Sequence, residues 1–209
     1  MAYETEEQQV EAIKQFWKEN GTAIILGAVI GFGALFGWNY YQDNKVKQSE
    51  QASLAYSEVL ALAEQGASDN SELISKVEAI RNDYSSSSYA ALAALTLAET
   101  LVAENKFEQA AEQLNWVVDQ SNDTFESIAK LRLARIQLQL KKFDDAIASA
   151  DSINEQAYRS NALLIKAEAL IAQGKIEEAK SVLIEARDAG EGAANPLLQM
   201  RISEFGIDN

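Results

Sequence analysis

The sequence predicts an all-α protein, a single N-terminal transmembrane helix followed by an array of helical hairpins. Three observations carry this. Residues 21–41 form a run without one charged side chain. A short signal recurs three times through the rest of the chain at a spacing near 34 residues. Helix breakers are scarce: of ten glycines five lie in the apolar run, and Pro196 is the one proline.

The apolar run comes first in the chain. Twenty-one helical residues at about 1.5 Å each span roughly 31 Å, against roughly 30 Å of bilayer hydrocarbon, so the run crosses once with little tilt. Phe16 and Trp17 precede it and Trp38, Tyr40 and Tyr41 end it, where amphipathic rings favour the headgroup boundary. A cleaved secretory signal fits poorly. The first twenty residues set Lys14 and Lys18 against five glutamates, and the nearest small-x-small candidate, Ser53-Leu54-Ala55, lies far beyond the apolar core. The expected divisions are a short N-terminus at 1–20, a transmembrane helix at 21–41 and a soluble domain at 42–209. Within the span Ala23, Gly27, Gly31 and Ala34 share one helical face, with Gly33 and Gly37 on another, and small residues of this kind let a second membrane helix approach closely. Lys14 and Lys18 before the run balance Lys45 and Lys47 after it, so basic residues leave the orientation open. From residue 40 to 62 there is neither Gly nor Pro, and the anchor is expected to continue as one helix into the soluble part.

The repeated signal is Lys106-Phe107-Glu108-Gln109-Ala110, Lys142-Phe143-Asp144-Asp145-Ala146 and Lys175-Ile176-Glu177-Glu178-Ala179, with copies 36 and 33 residues apart. Nine residues before each Phe or Ile stands another alanine, Ala98, Ala134 or Ala167. Small residues in two columns allow close helix crossing, and a large apolar residue fills the space beside the turn. Leu92, Leu95, Ala98 and Val102, then Phe107, Ala110, Leu114 and Val117, recur at helical spacing, so each unit is two amphipathic helices. The pattern resembles the tetratricopeptide repeat, although Ala94, Lys130 and Leu163 occupy a slot that is usually bulky and no proline separates the units. Turns are expected at Asn105-Lys106, Lys141-Lys142 and Gly174-Lys175 within hairpins, and at 85–88 and 120–124 between them. A degenerate hairpin over 53–64 and 71–81 precedes the first unit. Asn195-Pro196 supplies N-cap and N1 residues for a last helix at 197–205.

Composition excludes several functions. Cysteine and histidine are absent, which removes thiolate nucleophiles, imidazole bases, disulfides and Cys/His metal sites. No enzyme, cofactor or metal is expected. Adjacent acids such as Asp144-Asp145 and Glu177-Glu178 lie side by side on a helix rather than across a cleft, and suit helix N-termini. Residues 48–209 hold 14 basic against 26 acidic side chains, a formal charge of −12, the wrong sign for a nucleic-acid partner.

Stacked hairpins of this kind present their first helices along a groove. The corresponding offsets are Leu92, Leu95, Glu99 and Val102 in the first unit, Ile128, Leu131, Arg135 and Leu138 in the second, and Asn161, Leu164, Glu168 and Ile171 in the third. An apolar lining suits a segment of another polypeptide, although any single leucine here better suits the core between hairpins, and only the set points to a groove. Leucines and glutamates stand where an array that captures C-terminal carboxylates uses Lys, Asn and Arg, which disfavours that ligand. Lys130, Arg132 and Arg135 read as a solvated face paired with nearby acids.

The acidic N-terminus, the glycine-rich anchor, the stretch Ser87-Ser88-Tyr89-Ala90-Ala91-Leu92-Ala93-Ala94-Leu95, the stretch Lys130-Leu131-Arg132-Leu133-Ala134-Arg135 and the closing Pro196-Leu197-Leu198-Gln199-Met200 together resemble the YfgM family over essentially the whole chain. This resemblance implies an ancillary subunit of the SecYEG translocon in the bacterial inner membrane, with a cytoplasmic N-terminus and a periplasmic tetratricopeptide-like domain. It implies association with the membrane-anchored periplasmic chaperone PpiD and assistance to newly translocated proteins, and it brings no catalytic or cofactor residue. The competing expectation is a tethered scaffold or regulator whose array stays in the cytoplasm.

Overall fold

The structure, a computed structural model, describes residues 6–66, 70–120, 123–189 and 195–207, and every regular element among them is a helix. In chain order these are α1 (Glu6–Gln65), α2 (Ser71–Asp83), α3 (Ser88–Ala103), α4 (Phe107–Asp119), α5 (Asp123–Gln139), α6 (Phe143–Asp151), α7 (Gln156–Ala172), α8 (Ile176–Asp188) and α9 (Pro196–Glu204). The chain divides into two units, Met1–Gln48 and Ser49–Asn209, and α1 contributes residues to both.

In the first unit the charge-free run is helical throughout, and α1 is long and apolar enough to cross a membrane. Its large apolar side chains, among them Ile25, Val29, Ile30, Phe32 and Phe36, are exposed. A core helix of a soluble protein would have these covered, so their exposure favours lipid as the covering phase. Gly21 lies against the Trp17 indole, where an added Cβ would meet the ring at 3.5 Å.

The second unit stacks hairpins. The C-terminal part of α1 and α2 form the one read as degenerate, α3/α4, α5/α6 and α7/α8 are the three repeats, and α9 closes the array. Phe107, Phe143 and Ile176 each open the second helix of a repeat and are half-buried. The six column alanines, Ala98, Ala134, Ala167, Ala110, Ala146 and Ala179, are at most 2% exposed, which is the reason for the small side chain: a larger one would hold the helices apart. Three apolar clusters join neighbours. One spans α1 to α5 around Val59, Leu97, Leu101 and Leu114; one joins α5, α6 and α7 through Leu131, Ile153 and Ile165; one joins α7, α8 and α9 through Leu164, Leu183 and Leu198. Because the main helix–helix contacts run between elements one or two apart in the chain, the unit is held together as a chain of interfaces between neighbouring hairpins.

The turns within the repeats share one geometry. Asn105, Lys141 and Gly174 have φ of 61°, 60° and 78°. In each case that residue's N–H bonds the carbonyl three back, and the next N–H bonds the carbonyl five back: Lys106 to Leu101 (2.8 Å), Lys142 to Gln137 (2.8 Å) and Lys175 to Leu170 (2.9 Å). This paired pattern satisfies the last carbonyls of the first helix and needs a left-handed residue at its centre. Lysine carries a Cβ penalty there that glycine does not. Lys141→Gly is therefore expected to raise stability by about 0.5–1 kcal/mol, read as a higher urea midpoint at unchanged slope.

The remaining ends follow the sequence closely. Ser87 caps α3 by accepting from the Tyr89 N–H (3.3 Å). Asn195 Oδ1 accepts from the N–H groups of Leu197 (3.1 Å) and Leu198 (3.3 Å), with Pro196 in the first turn, so α9 begins one residue before the expected 197 and ends at Glu204. Asp144, Asp145, Glu177 and Glu178 fall in the first turns of α6 and α8, where a negative charge complements the helix dipole. Residues 67–69 and 121–122 of the expected loops lie outside the described residues.

Candidate partner-binding surface

Polar contacts one repeat apart link neighbouring hairpins, the first from the start of α2 to the end of α3 and the others between successive first helices. Asn70 Nδ2 donates to Glu104 Oε1 (2.8 Å), Arg132 Nη1 lies 3.8 Å from Glu99 Oε2, Asn195 Nδ2 donates to Asn161 Oδ1 (3.0 Å), and Arg201 Nη2 donates to Glu168 Oε1 (3.4 Å). The sequence separations are 34, 33, 34 and 33 residues, so these contacts repeat with the fold. Asn161 and Glu168, two of the polar positions expected in a groove, are thus tied to the segment that opens and forms α9, while Glu99 is 77% exposed and only lies near Arg132.

The apolar positions divide by burial. Leu95 and Leu131 are 7% exposed and Leu164 is 1% exposed, and all three belong to the clusters between hairpins. Leu92, Ile128, Leu138 and Ile171 are half-buried, while Arg135 and Val102 are exposed. In the third unit α9 lies over the face that the lining was expected to offer, with Leu198 and Ile202 packed among Leu163, Leu164 and Ala167. Of the expected lining, the outer residues Leu92, Val102, Ile128, Leu138 and Ile171 keep accessible surface, as do Arg135 and Glu99. Lys130 pairs with Glu126 and Arg132 lies near Glu99, but the Lys130 side chain is only 18% exposed, so it is not on a solvated face.

A cleft of about 690 Å³ opens between the C-terminal part of α1 and α3. Tyr56, Leu60 and Ala63 form its apolar side, and Thr96, Glu99 and Thr100 line it from α3. Tyr56 fixes one wall: its hydroxyl is 3.4 Å from the Thr96 hydroxyl, and its ring is 5.9 Å from that of Tyr89. Thr96 and Thr100 donate to the carbonyls of Leu92 (3.0 Å) and Thr96 (3.2 Å), so their hydroxyls are satisfied within α3. The α1 residues were absent from the expected lining. Ala52, Tyr56, Val59 and Ala63 are spaced as one helical face, and that periodicity is the signal that could have placed them beside α3.

At the foot of the cleft, Glu104 is held below the usual carboxylate range, first by its hydrogen bond and ion pair with Lys106 (2.8 Å) and also by Asn70. A depressed carboxyl contributes stability above its unfolded pKa and loses it as pH falls through the folded value. Melting the wild-type chain and Glu104→Gln between pH 7 and pH 3 should show the wild type losing its small advantage on the acid side. An advantage that persists at pH 3 would contradict this. On the second-helix side, Arg81 stacks over Trp116 at 4.5 Å and donates to Gln113 (2.9 Å), tying α2 to α4; burial lowers its pKa, yet an arginine stays charged. No cluster of three or more metal-ligating side chains occurs among the described residues.

An array of stacked hairpins behind a helix long enough to span a membrane defines a tetratricopeptide-like protein with an N-terminal anchor, and the tetratricopeptide repeat-like domain family matches residues 14–206. The chain is 35% identical to the ancillary SecYEG translocon subunit of Escherichia coli (strain K12), over 98% of each chain. It is 35% identical to that of Aggregatibacter actinomycetemcomitans and 29% identical to that of Haemophilus influenzae, over 98% of this chain and 100% of each relative. The chain belongs to this family, the YfgM family of ancillary SecYEG translocon subunits.

Proposed function

We propose that the protein is a single-pass ancillary subunit of the SecYEG translocon in the bacterial inner membrane. Residues 1–20 lie in the cytoplasm, 21–41 span the bilayer, and 42–209 form a periplasmic domain that serves newly translocated proteins as chaperone or adaptor, alongside a PpiD-type membrane-anchored chaperone. The observation that carries this reading is the alignment with translocon subunits over 98% of the chain, which takes in the anchor as well as the array. The absence of His and Cys and the helical-hairpin surface support binding rather than catalysis. Tethering supports it energetically, since a short tether gives a local concentration up to about the millimolar range and weak contacts then suffice.

Protease added to intact spheroplasts is expected to digest the array. Full protection would place it in the cytoplasm and favour the scaffold alternative. Photocrosslinkers at Val102 and Leu138, which keep accessible surface, are expected to capture emerging chains or the chaperone; at Leu95, Leu131 and Leu164 they would report the core instead. In the anchor, Ala23, Gly27, Gly31 and Ala34 are proposed to pack against a partner's membrane helix. An added Cβ at Gly27 or Gly31 meets nothing within 4 Å in this chain, so Gly27→Leu with Gly31→Leu should leave the protein folded while lowering co-purification of translocon subunits. Unchanged recovery would rule out that face.

A further inference from the structure

We propose that the cleft between the C-terminal part of α1 and α3 binds a polypeptide segment in which an apolar side chain is flanked by lysine or arginine. The inference rests on the partner-binding reading above and assigns it a place and a chemistry. At about 690 Å³ the cleft has the size of a ligand pocket and admits one or two large side chains. Its apolar side is incompletely covered, with Leu60 left 39% exposed beside Tyr56 and Ala63.

Among the described residues its charged lining is Glu64, Glu99 and Glu104, without a lysine or arginine. Lys106 already neutralises Glu104. Glu64 is exposed, and Glu99 is held only by Arg132 at 3.8 Å with its side chain 77% exposed, a pair too long and too wet to be worth much. Two acids at the rim of an apolar cleft, on a domain of formal charge −12, favour a cation beside the buried side chain and repel acidic segments. Arg132 is then an internal competitor for Glu99, and removing it should have the opposite sign to removing the acid.

The test uses the full chain in nanodiscs of zwitterionic lipid and three fluorescent peptides sharing a Leu-Phe-Leu centre flanked by lysines, glutamines or glutamates, read by anisotropy. The lysine-flanked peptide should bind tightest. Glu64→Gln with Glu99→Gln should weaken it about three- to tenfold, to the level of the glutamine-flanked peptide, and Arg132→Gln should strengthen it. Leu60→Gln should weaken both peptides, and circular dichroism checks that each variant keeps its helices. Binding that ignores flanking charge, or survives all these variants unchanged, overturns the cleft assignment and leaves partner binding by the array standing. If none of the three peptides binds, the assignment and the reading beneath it both fail.

Discussion

Truncating Leu164 to alanine is expected to destabilise the C-terminal hairpins by about 2–5 kcal/mol, the range for a large-to-small change at a site that cannot collapse. Leu164 is 1% exposed and packs with Leu163, Ala167, Leu183, Ala186, Leu198 and Ile202, so three helices, α7, α8 and α9, border the lost volume. Polar contacts hold those helices in place around it: Asn195 to Asn161, Arg201 to Glu168, and the buried Ser160 hydroxyl to the Ala186 carbonyl (2.9 Å). Relaxation into the cavity would have to break one of these. In an array with nearest-neighbour coupling the loss falls first on the end element, so hydrogen exchange should quicken in α9 before the rest, while α3 and α4 keep their protection. Leu92→Ala, three residues before the matching position Leu95 of the first unit and half-buried, should cost clearly less. A cost below about 1 kcal/mol at Leu164, or no change in α9 exchange, would mean that this leucine lines an open surface after all.

That contrast shows where the sequence speaks and where it is silent. The alanine columns are legible because only a small side chain is compatible with a close helix crossing, and Ala98, Ala134 and Ala167 recur with Ala110, Ala146 and Ala179 at one spacing. The apolar anchor is legible for a similar reason, since no soluble fold requires twenty-one consecutive uncharged residues beside bracketing aromatics. The first helices are harder. Each has neighbours before and after it in the stack as well as its own hairpin partner, so its apolar stripe is wide, and periodicity alone does not tell Leu95, which is buried, from Val102, which is exposed. The turn residues illustrate a different limit. Gly174 announces a left-handed centre, whereas Asn105 does so weakly and Lys141 not at all; the three share a geometry because the repeat imposes it. The polar rungs are invisible for a third reason. Glu168 and Arg201 are 33 residues apart, and their pairing follows only once α9 is known to occupy the place of a fourth first helix.

Placing arginine at both Val29 and Ile30 is expected to release the chain from the membrane. Each charge at the centre of a spanning helix disfavours insertion by about 2.5–3.5 kcal/mol on translocon-derived scales, so the pair opposes it by roughly 5–7 kcal/mol. The two positions sit in the middle of residues 21–41, too far from either end for a long side chain to reach the headgroups easily. Both side chains are exposed on α1, and arginine favours helix more than valine or isoleucine, so neither change removes a packing contact or a helical turn. The apolar clusters of the array begin beyond this segment, with the α1 residues Ala55, Tyr56 and Val59, and should be untouched. The expected result is therefore a separation of two readouts. The double variant should appear in the carbonate-soluble fraction and lose co-purifying translocon subunits, while the protease-resistant array and its urea transition stay as in the wild type. A single conservative change, Ile30→Leu, should leave the chain carbonate-resistant and controls for disturbance of the helix itself. If the doubly charged variant remains in the membrane pellet, residues 21–41 are not what holds the protein there, and tethering loses its place in the account of how weak contacts suffice.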